Sequence, residues 1–455
     1  MIFTLLILIK IITIIKTELR IPFRTKLFSN ISPNSIIQEE LQNVLLNLIH
    51  NDIYIDLAIG TPIQQKIKSF LKLEEYPFFI QGKDIPKSEY DQTKSSTYKS
   101  ELYPNVFLDG EEEIKWGYVS NETIEIQNKS NKILMEKFDF ILVTETITES
   151  PSNLGLMIQN QYTSIPDINF IVQLKKQNII NYYGFVINYT SYEKGEGELI
   201  IGGPPHLYDP KYNDSYYITE NAIAKPKYMM YGLEFDSIYY GNNTTNIGGS
   251  MQCKFLSDFG LIVGSIKYYE VILEKFFNEY LKNNICYKNN IKISIEWREG
   301  EKNFEYFYCD KNKVDISKVE NIKFYHKKMN FIFEFNYTEL FQDVGNYYIF
   351  KIIFLNNSNF YWIFGKPWLA KYLMVFDQDS KVIGHYYKLN EFKSENDDKS
   401  NKKFFLYIIF ILIALFILII FIFVYSSRNR RPNRRNELND DYDYIQGENQ
   451  NRIIN

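Results

Sequence analysis

From Ile53 onward the chain breaks into short runs of alternating or β-branched character, each closed by Gly, Pro, Asn or Asp, and long helical periods are few. A period of two sends successive side chains to opposite faces, so such segments bury an apolar face only by pairing and stacking into sheets. The expected fold class is therefore all-β. Aromatic residues make up 17% of the chain, with 37 Tyr and 35 Phe, which suits packing between pleated surfaces better than helix bundles. At 455 residues the chain outgrows one hydrophobic core, so two lobes or two domains are expected.

The two ends carry a different code. Residues 1–15 are apolar apart from Lys10 and two threonines, too short to span a bilayer securely, and residues 1–18 read as a secretory signal. Residues 404–425 form an apolar run without a charge, long enough at ~1.5 Å per residue to cross a hydrocarbon core of about 30 Å. Lys402 and Lys403 precede this transmembrane helix, whereas Arg428, Arg430, Arg431, Arg434 and Arg435 follow it, which places the 426–455 tail in the cytosol. Residues 391–403 read as a polar stalk. The expectation is a single-pass type I membrane protein with a luminal or extracellular ectodomain, in the secretory pathway, a vacuole or at the cell surface. Nine Asn-x-Ser/Thr glycosylation acceptors agree with that topology, because Asn30, Asn121, Asn128, Asn188, Asn213, Asn242, Asn243, Asn336 and Asn356 all precede the span.

A net charge of −4 and a pI near 5.8 give no electrostatic footprint for nucleic acid. Three cysteines are too few for a disulfide scaffold, so one bridge with one odd thiol is expected. His50, His206, His326 and His385 have no metal-ligand spacing, no Gly-x-Ser-x-Gly elbow is present, and no cofactor or metal is implied. Asp258-Phe259-Gly260 spells a kinase metal-binding triplet, but no glycine loop or catalytic-loop motif accompanies it. Residues 195–203, GEGELIIGG, lack the spacing and βαβ context of a phosphate cradle.

Several segments occur in an order that resembles the pepsin-like aspartic peptidases. YIDLAIGTPIQ at residues 54–64 is similar to the family's opening hairpin, and SSTY at 95–98 to the turn that follows its first catalytic loop. GYVSNETIEI at 117–126, SIP at 164–166, QLKKQNII at 173–180 and GELIIGG at 197–203 continue the series. LIVGSIKYY at 261–269 resembles the strand and helix start after the second catalytic loop, and residues 361–386 resemble the terminal hairpins, with Asp377 at a structural turn. The resemblance implies a bilobal pepsin-like acid-protease fold with a few short helices, the clearest helical periods being 168–177 and 267–281. It implies a pro-like segment at 19–50, an N-terminal lobe at 51–220 and a C-terminal lobe at 221–390. It also implies a disulfide between Cys286 and Cys309, with Cys253 as a buried thiol.

That family activates water with two carboxylates close enough to share a proton, each in an Asp-Thr/Ser-Gly loop. Counted without gaps from Gly60-Thr61-Pro62, the first carboxylate falls on Leu71, and a one-residue insertion moves it to Lys72. Counted back from residues 261–269, the second falls on Leu256. Both positions are degenerate. The carboxylates nearby are Glu74 and Glu75, which read first as solvated or salt-bridged turn residues, and Asp258, which reads first as a loop carboxylate. The flap tyrosine is replaced by Gly110 in an acidic turn. The expectation is a membrane-anchored, monomeric homologue that has lost catalysis and binds a peptide or protein in the inter-lobe cleft. The alternatives are a divergent active endopeptidase that uses Asp258 with Glu74 or Glu75, and a surface structural protein.

Overall fold

The computed structural model describes residues 18–389 apart from the connections 26–37, 51, 101–105, 111–112, 130, 147–150, 158–167, 193, 225–228, 242–250, 294–300 and 356–361. The signal segment up to residue 17, the stalk, the apolar run 404–425, the tail, the SIP turn and the acceptors Asn30, Asn242, Asn243 and Asn356 lie outside the described residues. Among the described residues no helix is long and apolar enough to cross a membrane. The described part lies within one compact unit, residues 1–390.

Two large sheets dominate. A 14-stranded sheet gathers most strands up to residue 221 together with the terminal hairpin Met374–Asp377 and Val382–Tyr386, and a 9-stranded sheet gathers strands between Gly232 and Phe364. The last hairpin therefore returns to the first half. Gly184–Ser191 pairs with Met374–Asp377, and Tyr217–Asn221 pairs with Val382–Tyr386, which ties the lobes through backbone hydrogen bonds. The fold is mostly β with few helices. The helical periods form Phe170–Lys176, capped by Asn169, and a helix from Ile266 to Lys282 with a wider turn at Leu273–Phe277.

The landmarks read from the sequence meet in space. The Thr61 amide donates to Ser95 Oγ at 3.1 Å and the Thr61 hydroxyl donates to Thr97 at 2.9 Å, so the Gly-Thr-Pro turn and the Ser-Ser-Thr-Tyr turn close on each other. Asp377 is buried and accepts from Tyr182 Oη at 2.5 Å and the Ser380 amide at 2.8 Å, a turn-holding role. Cys286 and Cys309 form a disulfide between directly opposed residues of strands Cys286–Ile293 and Lys302–Asp310. Cys253 is a buried free thiol. Asn121, Asn128, Asn188, Asn213 and Asn336 are half-buried, and the Asn336 side chain caps a short helix.

The segment 19–50 contributes two elements to this unit. Strand Leu19–Thr25 sits between Glu196–Ile201 and Ile53–Ile59, with Leu19, Ile21 and Phe23 buried. Helix Gln38–Ile49 carries Leu41, Val44, Leu45, Leu48 and Ile49 on one face, all buried against the second half of the chain. Each such side chain contributes about 1.5–3 kcal/mol when fully buried, so the helix is held by its apolar stripe. Gly197 lets the inner strand approach, because a Cβ there would lie 2.3 Å from the Phe23 ring and 2.4 Å from the Asn188 carbonyl oxygen. We expect Gly197→Ala to cost roughly 1–3 kcal/mol through that overlap and to open residues 19–25 to proteolysis; unchanged thermal unfolding and unchanged cleavage would contradict this role.

Candidate functional site

Two loops carry equivalent positions in the two halves, and the strand register aligns them without a gap. In the first half Leu71 pairs with Leu154 in a parallel ladder, and Phe78 pairs with the same Leu154 in an antiparallel one. In the second half Phe255 and Ile262 pair with Phe364 in those same two senses. Leu71 therefore corresponds to Phe255 and Phe78 to Ile262, with equal spacing between them. Lys72 then corresponds to Leu256, Leu73 to Ser257 and Glu74 to Asp258. Of the two positions the sequence offers for the first carboxylate, the register makes Lys72 the counterpart of Leu256, while the Leu71 side chain is buried in the large core.

The crossing depends on two glycines. A Cβ on Gly155 would lie 2.5 Å from the Tyr76 and Pro77 carbonyl oxygens, and one on Gly365 would lie 2.0 Å from the Phe259 and 2.4 Å from the Leu261 carbonyl oxygen. Any larger residue would push the loops apart. A hydroxyl then ties one loop to the other. Ser257 Oγ donates to the Leu71 carbonyl oxygen at 2.6 Å and accepts from the Leu73 amide at 3.2 Å, all of it buried. The reciprocal bond is missing because Leu73, at the matching position, carries no hydroxyl.

Between the loops lies a charge cluster. Lys72 Nζ is 2.6 Å from Asp258 Oδ2, 3.8 Å from Asp52 Oδ1 and 3.9 Å from Glu74 Oε1. Burial favours the neutral amine, but the surrounding carboxylates, Asp258 foremost, outweigh it and hold Lys72 protonated. For Asp258 burial likewise opposes ionisation, and the Lys72 ammonium prevails, holding the carboxyl below its ordinary range. Glu74 goes the other way. Burial, reinforced by the Asp258 charge, pushes it up to about 8, and its Oε2 has no hydrogen-bond partner. Burial also raises Asp52. Glu75 turns aside and accepts from the Asn153 side chain. Of the two readings of Glu74, solvated or salt-bridged, its place 3.9 Å from the lysine fits the second.

Helix Gln38–Ile49 covers the second loop. Its apolar face shares one buried cluster with Leu256, Phe259, Leu261, Val263 and Ile363, the face that the Leu256 side chain joins. The Ile49 carbonyl oxygen accepts from the Gly260 amide at 3.0 Å, His50 bridges to Phe259, and Asp52 then reaches the lysine. Sequence reasoning missed this cover and missed Asp52, although the spacing of Leu41, Val44, Leu45 and Leu48 is a legible helical stripe. It also missed Lys366, whose side chain is buried beside the same carboxylates. The Gly110 turn belongs to the hairpin Val106–Gly110 with Glu113–Asn128, whose tip side chains lie outside the described residues.

Two substitutions report on this centre. Ser257→Ala leaves the Leu71 carbonyl and the Leu73 amide without their partner and should cost about 2 kcal/mol in denaturant unfolding. Lys72→Met strands Asp258, Asp52 and Glu74 and should cost about 2 kcal/mol or more, while Lys72→Met with Asp258→Leu should recover most of it. A double variant as unstable as Lys72→Met alone would show that the pair is not coupled.

A family model described as eukaryotic aspartyl protease matches residues 83–386. The match begins after the first loop and includes the second. No curated protein matches the chain. With the paired sheets, the crossing loops and a family match over two thirds of its length, the chain belongs to the eukaryotic aspartyl protease family.

Proposed function

We propose that this protein is a non-catalytic member of its family, a membrane-anchored glycoprotein whose ectodomain acts by binding a peptide or protein ligand. One observation carries the reading: the two positions that correspond in the loops hold Lys72 and Leu256, and the Lys72 ammonium is bonded to Asp258 at 2.6 Å. Water is made nucleophilic in this family by two carboxyls that share one proton, and an ammonium cannot take either part. A carboxylate held by a lysine is a weakened base, because taking up a proton there forfeits the ion pair. Ile49, His50 and Asp52 add to the case, since the first two pair with the second loop and Asp52 supplies a further partner to the lysine.

Binding is the role that such a scaffold retains. Long strands and exposed sheet edges can hold an extended chain by backbone hydrogen bonds, with no demand on the carboxyls. The membrane anchor rests on the apolar run at 404–425 and the arginines after it, and the signal at 1–18 and the acceptor asparagines point to the secretory pathway. A monomer is the assembly this reading assumes.

A second reading is favoured by one specific feature. Glu74 and Asp258 correspond across the two loops, and their environments drive them apart, one raised to about 8 and the other lowered. Opposed shifts in a pair of carboxyls are what acid and base roles require, so a displaced active pair is the rival. Incubation of the purified protein with a mixed peptide library across the acid range, with and without a statine-type inhibitor, separates the two. We expect no inhibitor-sensitive cleavage. Cleavage that the inhibitor blocks and Asp258→Ala abolishes would overturn the non-catalytic reading.

A further inference from the structure

The two elements of the segment 19–50 are attached in different ways. Strand Leu19–Thr25 is laced on both sides, with Leu19 to Arg24 opposite Glu196–Ile201 and Phe23 to Thr25 opposite Ile53 to Ile55. Removing it breaks backbone hydrogen bonds to two neighbours. Helix Gln38–Ile49 docks through apolar side chains, and among the described residues no hydrogen bond joins residues 41–48 to another element. Its backbone ties come at the end, where the Ile49 carbonyl oxygen accepts from the Gly260 amide and His50 bridges to Phe259. Residues 26–37 connect strand to helix, and a stretch of that length spans up to ~40 Å when extended. A helix as short as Gln38–Ile49 is marginal by itself in water, so leaving its surface also unwinds it. Elements held in this way open locally while the rest of a fold stays closed.

The surface under the helix has a readable specificity. Leu41, Val44, Leu45, Leu48 and Ile49 fall at i, i+3, i+4, i+7 and i+8, and they share one buried cluster with Leu256, Val263, Ile291, Phe304, Ile353 and Ile363. Asp52 follows three residues past Ile49 and sets its carboxylate 3.8 Å from Lys72 Nζ. Anchors at this spacing are how an amphipathic helix is read by an apolar surface. We propose that the surface under Gln38–Ile49 is the ligand site, and that its partner is another protein's amphipathic helix with the same apolar spacing, followed by an acid that replaces Asp52 at Lys72. The built-in helix is then a tethered competitor that holds the surface until a partner displaces it. This inference rests on the binding role proposed above and narrows it to a helical ligand.

Two measurements test it. Hydrogen exchange on the full-length protein reads the cover with no ligand present, and amides of residues 41–48 should exchange at least tenfold faster than those of 19–25. Equal protection means that the helix opens only with the whole fold, which overturns this inference and leaves the binding reading standing. The second measurement titrates a fluorescent peptide of residues 36–53 against the full-length protein by anisotropy. Because a tethered competitor weakens a free ligand, Leu45→Asp in the protein should tighten peptide binding at least tenfold over the wild type. Leu45→Asp in the peptide should abolish binding, and Asp52→Asn in the peptide should weaken it several-fold. Equal affinity for wild type and variant protein, or for the peptide with and without Leu45→Asp, overturns the proposal. A concentration-dependent dimer of the wild-type chain that Leu45→Asp abolishes assigns the surface to a second copy and overturns it as well. Hydrogen exchange of the wild type decides the question even where Leu45→Asp fails to fold.

Discussion

Two glycines that leave no room for a Cβ against the loops they cross, Gly155 beneath Tyr76-Pro77 and Gly365 beneath Phe259–Leu261, set the geometry on which the rest of this molecule depends. With no Cβ in the way, each loop passes close over its partner strand, and the strands before and after both loops pair with a common residue, Leu154 or Phe364. The spacing between the pairs is then forced to be equal in the two halves. That equality brings Lys72 opposite Leu256 and Glu74 into correspondence with Asp258. A hydroxyl contributed from one side alone, Ser257, completes the tie.

The electrostatics follow from this geometry rather than from the residue types alone. A lysine and three carboxyls gathered in a partly buried space cannot all keep their solution behaviour. Lys72 and Asp258, at 2.6 Å, ionise each other, and the others adjust: Glu74 and Asp52 move up, and Lys366 moves down. Where the family shares a proton between two acids, the two loops here carry an ion pair between Lys72 and Asp258. Helix Gln38–Ile49 adds to this arrangement, since its apolar stripe packs on the second loop and Asp52 beyond it reaches the same lysine.

Much of the fold was legible because its signals are local. Alternation marked the strands, the periods over 168–177 and 267–281 marked the helices, and the Gly-Thr-Pro and Ser-Ser-Thr-Tyr turns stood where two strands must reverse. The candidate site was legible only to within one residue. Gap-free counting along the chain put the first position at Leu71, but the register puts Lys72 there, because a strand's face is set by its neighbours and a slip of one inverts it. Helix Gln38–Ile49 carried its own stripe, yet which surface that stripe covers was not written in it.

What the sequence determined by itself was the class of structure and the absence of paired Asp-Thr/Ser-Gly loops, since both depend on residue identity over a few positions. Tertiary structure alone decided that Lys72 meets Asp258, that Asp52 arrives from the cover, and that Lys366 is left without a partner. The ion pair joins residues 186 positions apart, fixed by the crossing of two loops over their glycines, and no local period or propensity encodes it.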